Sequence, residues 1–464
     1  MIPYSDEFST LLERTIRPRA QAILRLKLNG EYSDIITGKQ ILSIECEDEV
    51  DPLSRMLPVE SVVVRVLDFT DTFNPMLPEN FEKYYNSSFE MSVSFGLYDD
   101  TDTVQPGPWL IYYVNEIPEY ENRVVTFKGK RLLKTLTTKF TDFPHVTSNA
   151  KILAERILGQ AGVSSENYAL MTSLSSYYIN VVSMLPIDTC ENALLTLANM
   201  TCAQLRTKYT GVISLQDEWW NNWTTQLVMK KDMLEEPSMS VIPLLRNVRV
   251  DLRYRWVPDE TNDVETIGTL QGYFPANTVI KEFIEFSRNP RSDVIDKTIT
   301  GGTISSFSTS RLGATVEFVA NSSDKEVTID IQSLSYGIRE GCRQIEVNLN
   351  GTEDEEIDNP LQAGQNADRL AAYHGQYLGE NRCTYRIVYR GDPRIEVMDI
   401  IRVELPYYGV TECLVLSTKF NLSTSFNGEL IVKRLDSFRG EIVSAVANCA
   451  IAGIAVAGIT TIRT

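Results

Sequence analysis

Residues 385–435 read YRIVYRGDPRIEVMDIIRVELPYYGVTECLVLSTKFNLSTSFNGELIVKRL, and this stretch decides the predicted fold class. Runs rich in Val, Ile, Leu, Phe, Tyr and Thr alternate there with turn formers, which is typical of antiparallel strands. We predict strands at 385–389, 395–405 and 411–421, with turns at 391–393 and 406–409, where Gly accepts a positive φ and Pro donates no hydrogen bond. Asn427-Gly428 is predicted as either a bulge or a late turn within a fourth strand.

Composition places the chain among globular proteins of several domains. It has 464 residues, of which 43% are hydrophobic and 23% charged, and at about 150 residues per domain this predicts roughly three domains. The net charge of −18 argues against a basic nucleic-acid-binding surface. It suits either an ordinary acidic surface or one past which DNA slides without binding.

The sequence carries no motif for a metal, a cofactor or catalysis. Its seven cysteines form no CxxC pair and are odd in number, so we expect reduced thiols. His145 and His374 have no HExxH or HxH neighbour, and GxSxG, P-loop and GxGxxG patterns are absent. We therefore predict a protein that is not an enzyme. Residues 1–19 lack the apolar core of a signal peptide, which predicts folding in the cytoplasm.

Periodicity divides the chain into four predicted parts. Residues 1–140 form a β domain that follows a short helix, and the apolar run 62–69 predicts a strand buried on both faces. Residues 141–257 form an α/β domain with helices at 149–162 and 189–206. Residues 258–440 form a second β region with a long helix at 359–382, and residues 441–464 are hydrophobic. The predicted class is α+β, mainly β.

Three stretches resemble hub proteins of phage tail tips and baseplates, in particular those of phages of Gram-positive hosts and the central hubs of contractile tails. The first stretch is 51–81, the second lies in the middle of the chain and includes 233–256, and the third contains 390–399. The matching residues are Asp51, Pro52, Ser54, Leu57, Pro58, Asp68, Phe73, Asn74, Pro75, Arg390, Gly391, Pro393, Glu396 and Asp399.

The resemblance implies a structural protein of the virion with two barrel-like domains and a small helix-containing domain. Such hubs are homotrimers that connect the tail tube, or a distal tail ring, to a central spike or fibre. They contact the tape-measure protein and let genomic DNA pass. The alternatives are a tail-associated cell-wall hydrolase and a peripheral adaptor for receptor-binding fibres.

Two apolar features are candidate contact sites. Trp219, Trp220 and Trp223 form a cluster that either binds host glycans or packs against a neighbouring domain or subunit. The charge-free run at 442–462 is long enough to span a bilayer, for which about 20 apolar residues are needed. It is also rich in small residues that allow close packing around an axis. We expect either a channel plug or a membrane segment built on Ile442, Val446, Ile451, Ile454, Val456 and Ile459.

Overall fold

The chain is described from a computed structural model, and the described part is mainly β. Five α-helices accompany 29 strands there, which confirms the predicted α+β, mainly β class, and none of the sheets of this part closes on itself. The described residues are 4–14, 19–28, 30–86, 88–143, 148–179, 185–216, 223–256, 264–287, 294–321, 326–334, 337–362, 366–379, 382–423 and 425–435.

The helices and strands have the following bounds. The helices are α1 (Asp6–Glu13), α2 (Pro78–Tyr84), α3 (Ala150–Gln160), α4 (Cys190–Met200) and α5 (Ala367–Gly379). The early strands are β1 (Ala20–Leu28), β2 (Glu31–Thr37), β3 (Ile41–Glu49), β4 (Val59–Leu67), β5 (Phe89–Tyr98), β6 (Val104–Gln105), β7 (Trp109–Val114), β8 (Glu119–Glu121) and β9 (Val124–Lys130). The middle strands are β10 (Ser148–Asn149), β11 (Tyr168–Leu170), β12 (Tyr178–Ile179), β13 (Gln204–Thr207), β14 (Ile213–Gln216), β15 (Trp223–Val228), β16 (Ser238–Val241) and β17 (Leu245–Trp256). The next are β18 (Val264–Tyr273), β19 (Val279–Glu285), β20 (Val294–Thr300), β21 (Gly302–Thr309), β22 (Gly313–Ala320), β23 (Glu326–Leu334), β24 (Gly337–Glu346) and β25 (Glu353–Ile357). The last are β26 (Cys383–Tyr389), β27 (Ile400–Leu405), β28 (Gly409–Leu422) and β29 (Phe426–Arg434).

One large sheet joins strands from both ends of the described chain. Its order is β16-β26-β29-β28-β3-β4-β9-β7-β5-β1-β2, with β6, β8, β27 and β15 paired alongside. We call β1–β9 the first β unit and β26–β29 the last β unit. They meet where β28 pairs antiparallel with β3, from Ser417 opposite Glu49 to Leu422 opposite Ile44. The two units, although far apart in sequence, therefore form one continuous sheet.

In the first β unit, only alternate residues of β4 are buried, whereas we expected this strand to be buried on both faces. Val62, Val64 and Val66 are buried, whereas the residues between them are partly or fully exposed, so the prediction for 62–69 was wrong. The strand buried on both faces is β5. Helix α1 packs on this strand, with Phe8 among the residues that surround Leu97, and so covers the second face.

Helices α3 and α4 share a core with the short sheet β11-β14-β13. The Asn149 side chain accepts a hydrogen bond from the backbone N of Ile152 at 3.0 Å, which is an N-cap. Gly162 has a φ of +77° just past the helix end, as the C-terminal stop requires. The predicted extent of α3 is thus confirmed at both ends.

Helix α4 is shorter than predicted. It ends at Met200, and Cys202 has a φ of 56°, so the helix cannot continue. The backbone N of Ala203 donates to the carbonyl O of Ala198 at 2.9 Å, which closes the last turn. The chain then leaves as β13, so the prediction of one helix over 189–206 was wrong.

Helix α5 packs on the sheet β24-β17-β25 and is also shorter than the predicted 359–382. Asn359 begins a turn instead. In this turn its side chain accepts a hydrogen bond from the backbone N of Leu361 at 3.0 Å. Asn and Asp side chains favour such turns over helix interiors, and Pro360 therefore lies outside the helix.

Strands β18–β23 form two three-stranded sheets. They are inserted in the chain between β17 and β24, and these two flanking strands pair antiparallel with each other from Asn247 opposite Glu346 to Trp256 opposite Gly337. The orders are β18-β23-β20 and β19-β22-β21. Ile267, Ile284, Phe318 and Ile329 belong to one buried cluster between the two sheets. This insertion therefore has a hydrophobic core of its own. The boundaries predicted between 1–140, 141–257, 258–440 and 441–464 remain predictions.

In the last β unit, the start of the second strand and the position of Gly428 differ from the prediction. Residues 392–399 form turns, since Met398 has a φ of 69°, and the strand begins only at Ile400. Gly428 lies neither in a bulge nor in a turn, because it pairs with Phe420 on β28 and Tyr389 on β26. A Cβ at Gly428 would lie 2.5 Å from Cε1 of Tyr389, so this close approach requires glycine.

Candidate functional site

Buried polar contacts between the two β units converge on residues 203–209, which comprise β13 and its flanks. Thr207 Oγ1 donates to Glu60 Oε2 of the first β unit at 2.9 Å. The backbone N of Tyr209 donates to Glu396 Oε1 of the last β unit at 2.7 Å. We name the cluster the junction, and its buried residues are Asp48, Glu60, Arg131, Arg206, Thr207, Tyr209, Glu396 and Asp399.

Arg131 is the central cation of the junction. Its Nε and Nη2 donate to the two carboxylate oxygens of Asp48 at 2.9 and 2.8 Å, and its guanidinium lies over the rings of Tyr112 and Tyr209 at 4.8 and 4.4 Å. Burial lowers the pKa of Arg131, but Asp48, Tyr112 and Tyr209 together raise it to well above its ordinary value. Two charge-assisted hydrogen bonds and two aromatic faces thus compensate for the lost hydration.

Glu60 forms the contact between β4 and β13. Its carboxylate accepts hydrogen bonds from both the hydroxyl and the backbone N of Thr207. Burial raises the pKa of Glu60 to about 7, although Arg131 and the hydrogen bonds of Thr207 act to lower it. This carboxyl therefore changes its charge near neutral pH.

Glu396 and Asp399 form the contact of the last β unit. The backbone N of Glu396 donates to Asp399 Oδ2 at 2.9 Å, and Arg206 donates to the carbonyl O of Val397. Burial, followed by the nearby charge of Glu396, raises the pKa of Asp399 to about 7. The charge on Glu396 thus disfavours ionisation of Asp399, because like charges repel.

The loop 51–55 makes a second set of contacts with the middle of the chain. Ser54 has a φ of 48°, and its hydroxyl donates to the carbonyl O of Ala203 at 2.8 Å. Arg55 donates through Nε to Asp51 Oδ2 at 2.7 Å and through Nη1 to Glu355 Oε1 at 3.3 Å. The loop thereby connects β3 to β13 and β25.

A polar cavity of about 290 Å³ lies beside this loop. Leu195, Thr196 and Asn199 of α4, Glu355 of β25 and His374 of α5 contribute to its wall. His374 is fully buried. The cavity is therefore an open pocket where three parts of the fold meet.

Of the predicted contact residues, the structure describes only the backbone of Trp223. Trp223 begins β15, where its backbone pairs in parallel with Ile400, whereas Trp219 and Trp220 lie outside the described residues. The C-terminal candidates Ile442, Val446, Ile451, Ile454, Val456 and Ile459 also lie outside them. None of the described helices is long and apolar enough to cross a membrane. Within the same residues, no cluster of three or more His, Cys, Asp or Glu could hold a metal ion.

The sequence does not predict the junction, although Glu396 and Asp399 are among the residues that carry the resemblance. Asp51 and Ser54, which also carry it, belong to the second set of contacts. Arg206, the partner of Glu396 and Asp399, falls at the end of the predicted helix 189–206, which hides its role. The available signal was acidic residues within apolar runs, as for Glu60 beside the Val-rich run of β4 and for Glu396 and Asp399 in IEVMDII.

Comparison with known proteins gives structural similarity without a family assignment. No family model and no curated protein matches the sequence. The 43 kDa tail protein of prophage MuSo2 from Shewanella oneidensis has a TM-score of 0.46 at 10% identity, over 88% of this chain and 98% of that one. A tail protein from Neisseria meningitidis MC58 has 0.46 at 8%, over 89% and 96%. The prophage tail protein gp18 from Listeria monocytogenes EGD-e has 0.43 at 9%, over 92% and 97%.

Proposed function

We propose that this protein is a structural component of a phage tail and forms the central hub of a tail tip or baseplate. The pairing of β3 with β28 carries the proposal, because it joins the two β units of one subunit in a single sheet. A trimer of such a subunit would present six β units around one axis, which suits a hexameric tail tube. The residues that resemble hub proteins support this, since Ser54 and Glu396 lie at contacts between segments far apart in sequence.

The proposed hub connects the tail tube, or a distal tail ring, to a central spike or fibre. It closes the channel that holds the tape-measure protein and through which DNA later passes. The net charge of −18 supports passage of DNA without adhesion, since like charges repel within a screening length of about 8 Å at physiological salt. The protein would be assembled in the host cytoplasm and located at the tail tip of the virion.

Copy number and position in the particle test the proposal. A low-resolution electron microscopy map of intact tails, with the protein located by an antibody, should show three copies on the tail axis. Native mass spectrometry of the purified protein should give a trimer. Six or more copies at the rim would make the protein a fibre adaptor and would overturn the hub assignment.

A further inference from the structure

The cavity beside α5 has more acidic than basic groups in its wall. Glu355, Glu356 and Asp358 line it, and the lining includes one guanidinium, that of Arg55. This guanidinium is already engaged by Asp51 and Glu355. Glu356 lies 4.0 Å from Arg249, a guanidinium that also contacts Asp251 at 2.9 Å. The cavity therefore has an excess of negative charge that attracts cations and repels anions.

His374 supplies an unpaired polar group at the same place. Its side chain is 1% exposed, and its Nε2 has no hydrogen-bond partner among the described residues. Its Nδ1 lies 3.4 Å from Glu355 Oε1. Burial lowers the pKa of His374, so the ring is neutral at pH 7 and offers one nitrogen as an acceptor. A buried acceptor without a donor is costly.

We infer that this cavity binds an alkylammonium or guanidinium group, which donates to the imidazole of His374 and to the carboxylate of Glu355. Such a group offers the N–H donors that a neutral imidazole and a carboxylate both accept. The volume of about 290 Å³ is at the small end of ligand pockets and suits one extended chain. The group comes from a lysine or arginine of another protein or from a free polyamine. The inference is independent of the proposed hub function.

The two histidines of the sequence make NMR a direct test. In protein with ¹³C-labelled histidine, a His145→Gln variant assigns the His374 signal, and its pH titration is recorded with each probe. The probes are putrescine and the peptide acetyl-Ala-Lys-Ala-amide, with glutarate as the anion. Tetramethylammonium chloride, which has no N–H donor, keeps the ionic strength constant.

A bound cation should lower the pKa of His374 further, because a second positive charge disfavours the imidazolium. Saturable shifts of this sign with either cation support the inference. Tighter binding of the peptide identifies a protein side chain as the source, and tighter binding of putrescine identifies a polyamine. A pKa raised by glutarate, or no saturable shift with either cation, would overturn it.

A matched pair of variants separates the cavity from general surface charge. Glu356 lines the cavity and its side chain is 72% exposed, so Glu356→Gln should fold normally. This variant should weaken binding of the cation about threefold, the equivalent of about 0.65 kcal/mol, which is typical of a surface charge interaction. Glu353→Gln, an exposed position on the same strand β25, should leave binding unchanged. Equal effects of the two changes would contradict a site in the cavity.

Discussion

Arg131 and Asp48 form a two-pronged ion pair, with hydrogen bonds of 2.9 and 2.8 Å, although the two side chains are only 0% and 3% exposed. Arg131 follows β9 and Asp48 lies on β3, the strand that receives β28. The pair thus neutralises two charges beside the line where the two β units meet.

Removing one partner of this pair should be severely destabilising. Arg131→Met leaves Asp48 buried without a cation, and we expect a loss of about 3–5 kcal/mol in the free energy of unfolding. Adding Asp48→Asn should recover part of it, because the uncompensated charge is gone. The measurement is urea denaturation followed by circular dichroism. The control is Lys128→Met, which breaks the exposed pair with Glu119 and should lower the free energy of unfolding by less than about 1 kcal/mol. Similar losses for the two variants would refute a special role of the buried pair.

Stability should fall as the pH rises through about 7. The folded-state pKa values of Glu60 and Asp399 are both raised to about 7, so the folded protein binds protons that the unfolded chain releases near pH 4. Their stabilisation is fully present below the unfolded pKa values and is lost as the pH rises through the folded ones. We expect the free energy of unfolding to be about 1–3 kcal/mol larger at pH 6 than at pH 8.

A variant of Glu60 and a control at an exposed glutamate test which groups cause this pH effect. Glu60 faces Arg131 and Asp48, and Asp399 faces Glu396 and Arg206. Glu60→Gln should remove part of the pH dependence, whereas Glu121→Gln, at an exposed position of β8, should retain all of it. A pH profile that Glu60→Gln leaves unchanged would show that another group is responsible.

Pairing of β3 with β28 should make the two β units unfold together. Lys419 lies in β28 opposite Glu47, and Lys419→Pro removes a donor in the middle of the sheet. Hydrogen exchange should then accelerate in both β units. Lys281→Pro, in the edge strand β19 of the insertion, should accelerate exchange in residues 264–334 alone. Exchange in the first β unit that is unaffected by Lys419→Pro would contradict a single cooperative body.

Purified protein should not hydrolyse peptidoglycan or polysaccharide. We expect this because the sequence carries no nucleophile, metal or phosphate-binding motif. Zymography with host cell walls is the measurement. A cleared band that disappears when one carboxylate is substituted would identify the protein as a cell-wall hydrolase instead.

The apolar segment at 442–462 should be needed for assembly if it forms the proposed plug. Replacing Ile451 and Ile454 with Asp would place three charges per position around one axis, and tails should then assemble poorly or lose their tip. Normal assembly with reduced infection or membrane leakage would indicate a membrane element. If neither property changes, both interpretations of the segment are wrong.

The sequence predicts what depends on neighbouring residues. Asn149 and Gly162 define the two ends of α3 because capping is decided within a few residues. The predicted strand 411–421 is confirmed within β28, and the Gly391 turn has the expected positive φ of 78°. In each case the chemistry that decides the structure lies in the same short segment.

The junction could not be predicted because its contacts join distant residues. Glu60 and Thr207 are 147 positions apart, and Tyr209 and Glu396 are 187 apart. Helical periodicity continued through Leu205, whereas the left-handed residue Cys202 had no marker in the sequence. The backbone of residues 203–209 is therefore decided by tertiary contacts that override local preference.

The position of β3 also has a consequence for synthesis. Cys46 on β3 and its partner Phe420 on β28 are 374 positions apart. A ribosome that has completed the first β unit has therefore not yet made β28, and the outer edge of β3 has no partner strand at that stage. An open edge of this kind pairs readily with other nascent chains. We expect prematurely terminated chains to aggregate rather than to enter particles, so that only subunits whose synthesis has reached β28 take part in assembly.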